Sequence, residues 1–235
     1  MAYLAAIDGT DASGKATQTA LLASRLKKIG YNVLEISYPD YDCPSSGPVK
    51  MYLDGELGEH AGDTDAYAAS VLFAVDRFAS FRAKWKKFYE RDDYIILLNR
   101  YTTANAVHQL SKIDDNAEKE RFLDWLFDFE YCLLGIPAPD TVIYLEMPTE
   151  ISLSLLEKRC RETGASKDIH ELDRNHLQKS SEAAAYACEK LGWNRILCGR
   201  GGKPLPIEEI NETVFRTFMD GLPKNFAGMQ NYTES

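Results

Sequence analysis

Short apolar runs alternate along the chain with longer stretches in which apolar residues recur every three or four positions. The runs at residues 2–8, 31–37, 93–98, 141–145 and 195–198 predict strands. The periodic stretches at 16–28, 65–91, 116–134, 150–160, 175–191 and 207–219 predict helices. Strands alternating with helices build right-handed βαβ units, so the pattern predicts an α/β fold with a parallel sheet covered on both faces. Sheets of that kind bind ligands at the carboxyl ends of their strands. Residues just after each strand therefore become candidates for chemistry, and residues just before do not. The polar stretch 161–175 reads as a solvated connection or a mobile flap, and the last fifteen residues, without periodicity, are expected to pack loosely.

Composition narrows this picture. With 235 residues the chain predicts one large domain, 1–235, with an insertion at about 159–175. A net charge of −9 disfavours a protein that coats a nucleic acid polymer, and a nucleotide would need a locally basic pocket on an acidic body. Five scattered cysteines (Cys43, Cys132, Cys160, Cys188, Cys198) form no C-x-x-C pair, which predicts reduced, buried thiols, a cytoplasmic location and no zinc site. Neither a signal peptide nor an apolar run long enough for a membrane span is seen, so no membrane partner is expected.

The first strand runs into Gly9, Thr10, Asp11, Ala12, Ser13, Gly14, Lys15, Ala16 and Thr17, and the first helix opens there. G-x-x-x-x-G-K between a strand and a helix is the spacing of a phosphate loop. Its chemistry is carried by the backbone. The glycines let successive N–H groups turn inward, the helix N-terminus adds its dipole, and Lys15 supplies a point charge for the β- and γ-phosphates. An ordinary strand-to-helix turn with a solvated lysine is the plain alternative.

Other strand ends supply partners. Tyr38-Pro39-Asp40 follows the second strand and Asn99-Arg100-Tyr101 the third. Arg100 at a strand's carboxyl end can grip a phosphate bidentately. Phe73 and Arg77 lie four apart on the helix between those strands and so share a face. An aromatic ring beside a guanidinium can stack on a nucleobase and donate to its carbonyl oxygen. Taken singly, Phe73 reads more readily as core than as a base platform, and Arg77 reads as well as a solvated arginine or a partner of Asp76 or Glu90.

Together the phosphate loop with Thr17-Gln18, the Tyr-Pro, the LF-x-x-x-R and the N-R-Y resemble thymidylate kinase over residues 2–192, and Lys158-Arg159-Cys160-Arg161 with Asp168-Ile169-His170-Glu171 resembles the arginine-bearing lid of the bacterial type. The resemblance implies a three-layer α/β/α phosphate-loop fold with a five-stranded parallel sheet and a small helical lid. It implies transfer of the ATP γ-phosphoryl group to dTMP, with Mg2+. Residues 9–17 would hold the donor phosphates, and Asp11 would touch the acceptor phosphate or its metal. Phe73 would stack on thymine, Arg77 would donate to O4, Asn105 would pair with the N3–H, and Tyr38 would line the same site. Arg100 would grip the acceptor phosphate. With Ala12 and Ser13 in the loop, Arg159 and Arg161 would have to cover the transferring group. A homodimer through the long helices is also implied, with 66–88 as its face.

Three positions depart from the family pattern. Asn99 replaces a metal-binding aspartate, Ala16 replaces a hydroxyl residue, and His108 stands where an aromatic usually crowds out a 2′-hydroxyl. Asp8, Asp11 and Glu171 remain as carboxylates for the ion, which we expect to be held mainly by the nucleotide's own phosphates plus Asp11. Two alternatives stay open here: a kinase for another deoxynucleotide or a deoxynucleoside, and a nucleotide-binding protein without transfer activity.

Overall fold

In the computed structural model, which describes residues 1–163 and 174–226, five strands form one parallel sheet in the order β2-β3-β1-β4-β5. They are β1 (Tyr3–Gly9), β2 (Asn32–Ser37), β3 (Tyr94–Asn99), β4 (Thr141–Glu146) and β5 (Asn194–Leu197). Each predicted strand is present within one or two residues of its expected ends. Every residue of β1 is buried, because it lies centrally between β3 and β4 with helices over both faces.

The two-residue period of a strand sorts those side chains. Tyr3, Ala5 and Ile7 join Ile95, Leu97, Ile143 and Leu145 on one face, beneath α1 (Lys15–Lys28) and the C-terminal helix. Ala2, Leu4 and Ala6 join Ile96 and Leu98 on the other, against Phe81, Trp85 and Tyr101. An uninterrupted apolar run is thus what a doubly covered strand requires.

The long helix predicted at 65–91 is three segments. Asp65 caps α3 (Ala66–Ser80) by accepting from the backbone N–H of Tyr67 at 2.8 Å. A π-helical turn (Phe81–Trp85) follows, then α4 (Lys86–Tyr89). The stretch predicted as helix at 116–134 likewise divides into α6 (Asn116–Phe127) and a π-helical turn (Asp128–Leu133). Two short helices, α2 (Gly47–Leu53) and α5 (Thr102–His108), were not legible. Six of the seven α5 residues are buried, and a helix covered on all sides shows no amphipathic period.

After β4 come α7 (Thr149–Thr163), α8 (Arg174–Leu191), β5, a two-stranded hairpin of β6 (Gly199–Arg200) and β7 (Lys203–Pro204), and α9 (Ile207–Gly221). The hairpin turns through Gly201 and Gly202, at φ +59° and +75°, values glycine adopts without strain. Most of the proposed lid insertion lies outside the described residues, as do Asp168, His170 and Glu171. No helix among the described residues is long and apolar enough to cross a membrane. All five cysteines are free thiols, but only Cys188 and Cys198 are buried and Cys132 is exposed, which corrects the expectation of uniformly buried thiols. Burial pushes both buried thiols up to about 12.

Candidate active site

Three strand ends and the loop after β1 converge on one crevice. The loop makes its turn where only glycine fits: a Cβ on Gly9 would lie 2.3 Å from the carbonyl oxygen of Leu145. Gly14 takes φ +86° immediately before α1. The curl is fixed from the β4 side, where Thr10 Oγ1 donates to the Met147 carbonyl at 3.3 Å and Ser152 Oγ donates to the carbonyl of Asp11. Lys15 is buried and folded across its own loop, donating to the carbonyls of Gly9 (3.0 Å) and Thr10 (2.8 Å). Its ammonium stands 3.9 Å from the Asp11 carboxylate.

Asp11 is the hinge between this loop and a neighbouring pocket. Arg100 Nη2 donates to its carboxylate at 2.5 Å. Arg100 has φ +64°, a left-handed conformation rare for non-glycine residues; it turns the chain out of β3 just ahead of α5. Its Nη1 contacts Nε2 of His108 at 3.0 Å. Burial foremost, with Arg100 and His176 adding, pushes His108 down to about 3. The ring is therefore neutral, and Nε2 accepts from the guanidinium. Burial alone would raise the Asp11 carboxyl, but Arg100 and Lys15 more than reverse this and hold it well below the usual carboxylate range.

The pocket next to Arg100 encloses about 550 Å³, open solvent at its mouth included. Tyr38, Phe73, Arg77, Tyr101, Asn105 and His108 line it, with Asp11 and Arg100 at one end. Phe73 meets Tyr52 edge to face, ring centres 5.9 Å apart. Tyr38 is buried, and its hydroxyl accepts from Trp85 Nε1 at 2.9 Å.

Arg77 is not solvated, nor is it paired with Asp76 or Glu90. Its Nε and Nη2 both donate at 2.6 Å to Glu130, on the π turn after α6. Both side chains are almost fully buried. Asp76 instead accepts from Asp40 N and Ser45 Oγ, each at 2.8 Å. Glu130 was missed by sequence reasoning: one of five acidic residues in the stretch 116–134, 53 positions from its partner, it carries no local signal.

Other predicted residues fall outside the pocket lining. Asn99 donates through Nδ2 to Ser37 Oγ at 2.9 Å, while its Oδ1 is buried without a hydrogen-bond partner. Asp8 accepts from Thr103 Oγ1 at 2.7 Å and from the Gly9 N–H at 2.8 Å, so it braces β1 against α5. Ala16 and Thr17 are exposed at the start of α1, and Arg159 and Arg161 are exposed near the end of α7. No cluster of three His, Cys, Asp or Glu side chains able to hold a metal occurs among the described residues.

A parallel sheet whose first strand delivers a glycine-turned, lysine-bearing loop onto a helix N-terminus, beside a pocket ending in an arginine, defines a phosphate-loop phosphotransferase for a small acceptor. Comparison with known proteins makes this specific. The profile of the family described as Thymidylate kinase matches residues 7–196, so this chain belongs to the thymidylate kinase family, enzymes that transfer a phosphoryl group from ATP to dTMP. It is similar to the thymidylate kinase of Mycobacterium tuberculosis, 28% identical over 192 residues covering 81% of this chain and 87% of that one. It is 25% identical over 211 residues to the thymidylate kinase of Rhodopirellula baltica, covering 90% and 78%. Its fold matches the solved thymidylate kinase of Candida albicans with a TM-score of 0.66, at 19% identity, over 93% of this chain and 92% of that one.

Proposed function

We propose that dTMP occupies the pocket between Phe73 and Arg100, and that ATP lies with its phosphates in the loop of residues 9–17. The observation that carries this reading is Asp11, which belongs to the loop and lines the pocket. Donor and acceptor phosphates then meet on either side of one residue, as direct transfer between them requires.

The roles follow from charge and geometry. Lys15 exchanges its loop carbonyls for donor phosphate oxygens. Arg100 turns toward the acceptor phosphate, held in aim by neutral His108, which accepts from it and adds no competing charge. Phe73 stacks on the base, Nη1 of Arg77 donates to thymine O4, and Asn105 accepts from N3–H. Arg159 and Arg161 supply positive charge over the transferring group. Tyr38 packs the acceptor's side of the pocket, and Asn99 stands behind β3's end.

The residues fit a magnesium ion brought in on the nucleotide rather than a resident one. Asp11 and Oδ1 of Asn99, which has no hydrogen-bond partner, would offer it oxygens, and Mg2+ characteristically takes one or two protein oxygens, phosphates and water. When bound, the ion neutralises charge on the phosphates being exchanged.

We also assign the enzyme to the cytoplasm, in keeping with its free thiols, and propose a homodimer. On α3, Val71, Val75 and Phe78 are 36%, 46% and 36% exposed. Their spacing of four and three places them along one helical stripe. Light scattering of Val75→Glu should report a monomer, and an unchanged mass would remove α3 from the interface.

The test of the acceptor assignment is ADP release across dTMP, dUMP, dCMP, dGMP, AMP and thymidine. Turnover chiefly on dTMP is expected. Equal turnover on thymidine would deny Arg100 its phosphate, and preference for another base would displace Phe73 and Arg77 from the reading.

A further inference from the structure

Behind the pocket wall, one buried carboxylate touches every polar side chain assigned to the base. Glu130 holds Arg77 through two nitrogens, Nε and Nη2, each at 2.6 Å. It also accepts from Thr102 Oγ1 at 3.2 Å, and its Oε1 lies 3.5 Å from Asn105 Nδ2. The same Nδ2 donates to the Ser70 carbonyl at 3.2 Å. Glu130 itself is fully buried and does not line the pocket.

We propose that Glu130 is a positioning residue that sets base specificity, by fixing which atoms Arg77 and Asn105 present to the acceptor. The inference rests on the assignment of the base to this pocket. An ionised carboxylate can only accept hydrogen bonds. Facing Glu130 and the Ser70 carbonyl, two acceptors, the Asn105 amide must turn its NH2 inward and its oxygen toward the pocket. Glu130 holds Nε and Nη2 of Arg77, and Nη1 gives one N–H to the Tyr101 carbonyl at 3.4 Å, which leaves its second N–H to serve the pocket. The wall then offers a donor beside an acceptor. Thymine presents the complement, O4 accepting and N3–H donating, whereas cytosine presents an amine and an unprotonated N3. Selection against cytosine is thereby written into a residue that never touches the base.

A glutamine at 130 keeps the shape but brings an NH2 group that can donate. It can donate to Asn105 Oδ1, which leaves the Ser70 carbonyl alone to favour the original orientation and lets that amide also reverse and present its own NH2 to the base. An aspartate is shorter, a poorer fit, yet still accepts only. A merely structural role predicts that Gln is the milder replacement. The proposal predicts the reverse for selectivity.

The experiment measures kcat/KM for dTMP and dCMP, and KM for ATP, in the wild type, Glu130→Gln, Glu130→Asp, Asn105→Ala and Asn105→Ala/Glu130→Gln. The ratio of the two kcat/KM values does not depend on how much of a preparation is folded, so partial misfolding leaves it readable. Glu130→Gln is expected to lower the dTMP:dCMP ratio roughly tenfold or more, through KM for the acceptor and with the ATP KM unmoved. Glu130→Asp should retain most of the ratio even where its activity falls. In the Asn105→Ala background, Glu130→Gln should have little further effect. A ratio unchanged in Glu130→Gln, while Asn105→Ala lowers it, would overturn the role of Glu130 and leave the base assignment standing. A ratio unmoved in Asn105→Ala as well would overturn both.

Discussion

Removing Arg77 should cost this protein far more than the loss of a surface arginine, and the cost should be recoverable without restoring the charge. Arg77 and Glu130 are joined by two bonds of 2.6 Å, and their side chains are 2% and 0% exposed. Burial alone would lower the guanidinium's proton affinity, and Glu130 more than restores it. Truncating one partner strands an ion where water cannot reach it, at about 3–5 kcal/mol. A domain of this size loses roughly 2–4 °C of melting temperature per kcal/mol, so Arg77→Met should fall by about 6–20 °C. Replacing both ions by apolar residues removes the stranded charge, and such exchanges of a buried pair are commonly neutral or stabilising. Arg77→Met/Glu130→Met should therefore melt close to the wild type while discriminating poorly among acceptors. Thermal and urea unfolding provide the assay. A deficit below about 1 kcal/mol in the single variant, the value of an exposed pair, would refute the reasoning. So would a double variant as unstable as the single one.

Three further outcomes follow from the same geometry. Arg100→Ala should weaken dTMP by about 3 kcal/mol, roughly a hundredfold in acceptor KM, as expected for charge-assisted phosphate bonds; the ATP KM should change little, and a selective rise in the ATP KM would move Arg100 to the donor side. Asn99→Asp should keep activity and lower the magnesium concentration for half-maximal rate, and loss of turnover in a folded variant would show the end of β3 to be wrongly assigned. Burial, offset in part by Asp65, brings Lys112 down to about 8 from 10.5, while its ammonium donates to Tyr52 and the Thr64 carbonyl. Between those pH values the folded chain holds fewer protons than the unfolded one, so Lys112's contribution to stability should rise with pH through that window. Lys112→Met should flatten that rise, and parallel curves for the two proteins would exclude it.

The phosphate loop, the five strands and the strand-end arginine were legible because each is a local statement. An apolar run, two glycines at the spacing of a phosphate loop and a lysine at the mouth of a helix need no knowledge of distant chain. The short helix α5 was not legible, since its burial on all sides erases the period that would reveal it. Phe73, Arg77 and Asn105 could be nominated for one wall, and the structure brings all three to the same pocket. What the sequence by itself determined, then, is the order of strands and helices and the residue types delivered to the sheet's carboxyl edge. Only the tertiary structure decided the partners of those residues. Arg100 shares its charge between Asp11 and His108, and Arg77 is held by a carboxylate from a π turn 53 residues away. The reason is physical: backbone periodicity is encoded within a few residues, whereas a buried charge is neutralised by whichever side chain the packing brings within hydrogen-bond reach.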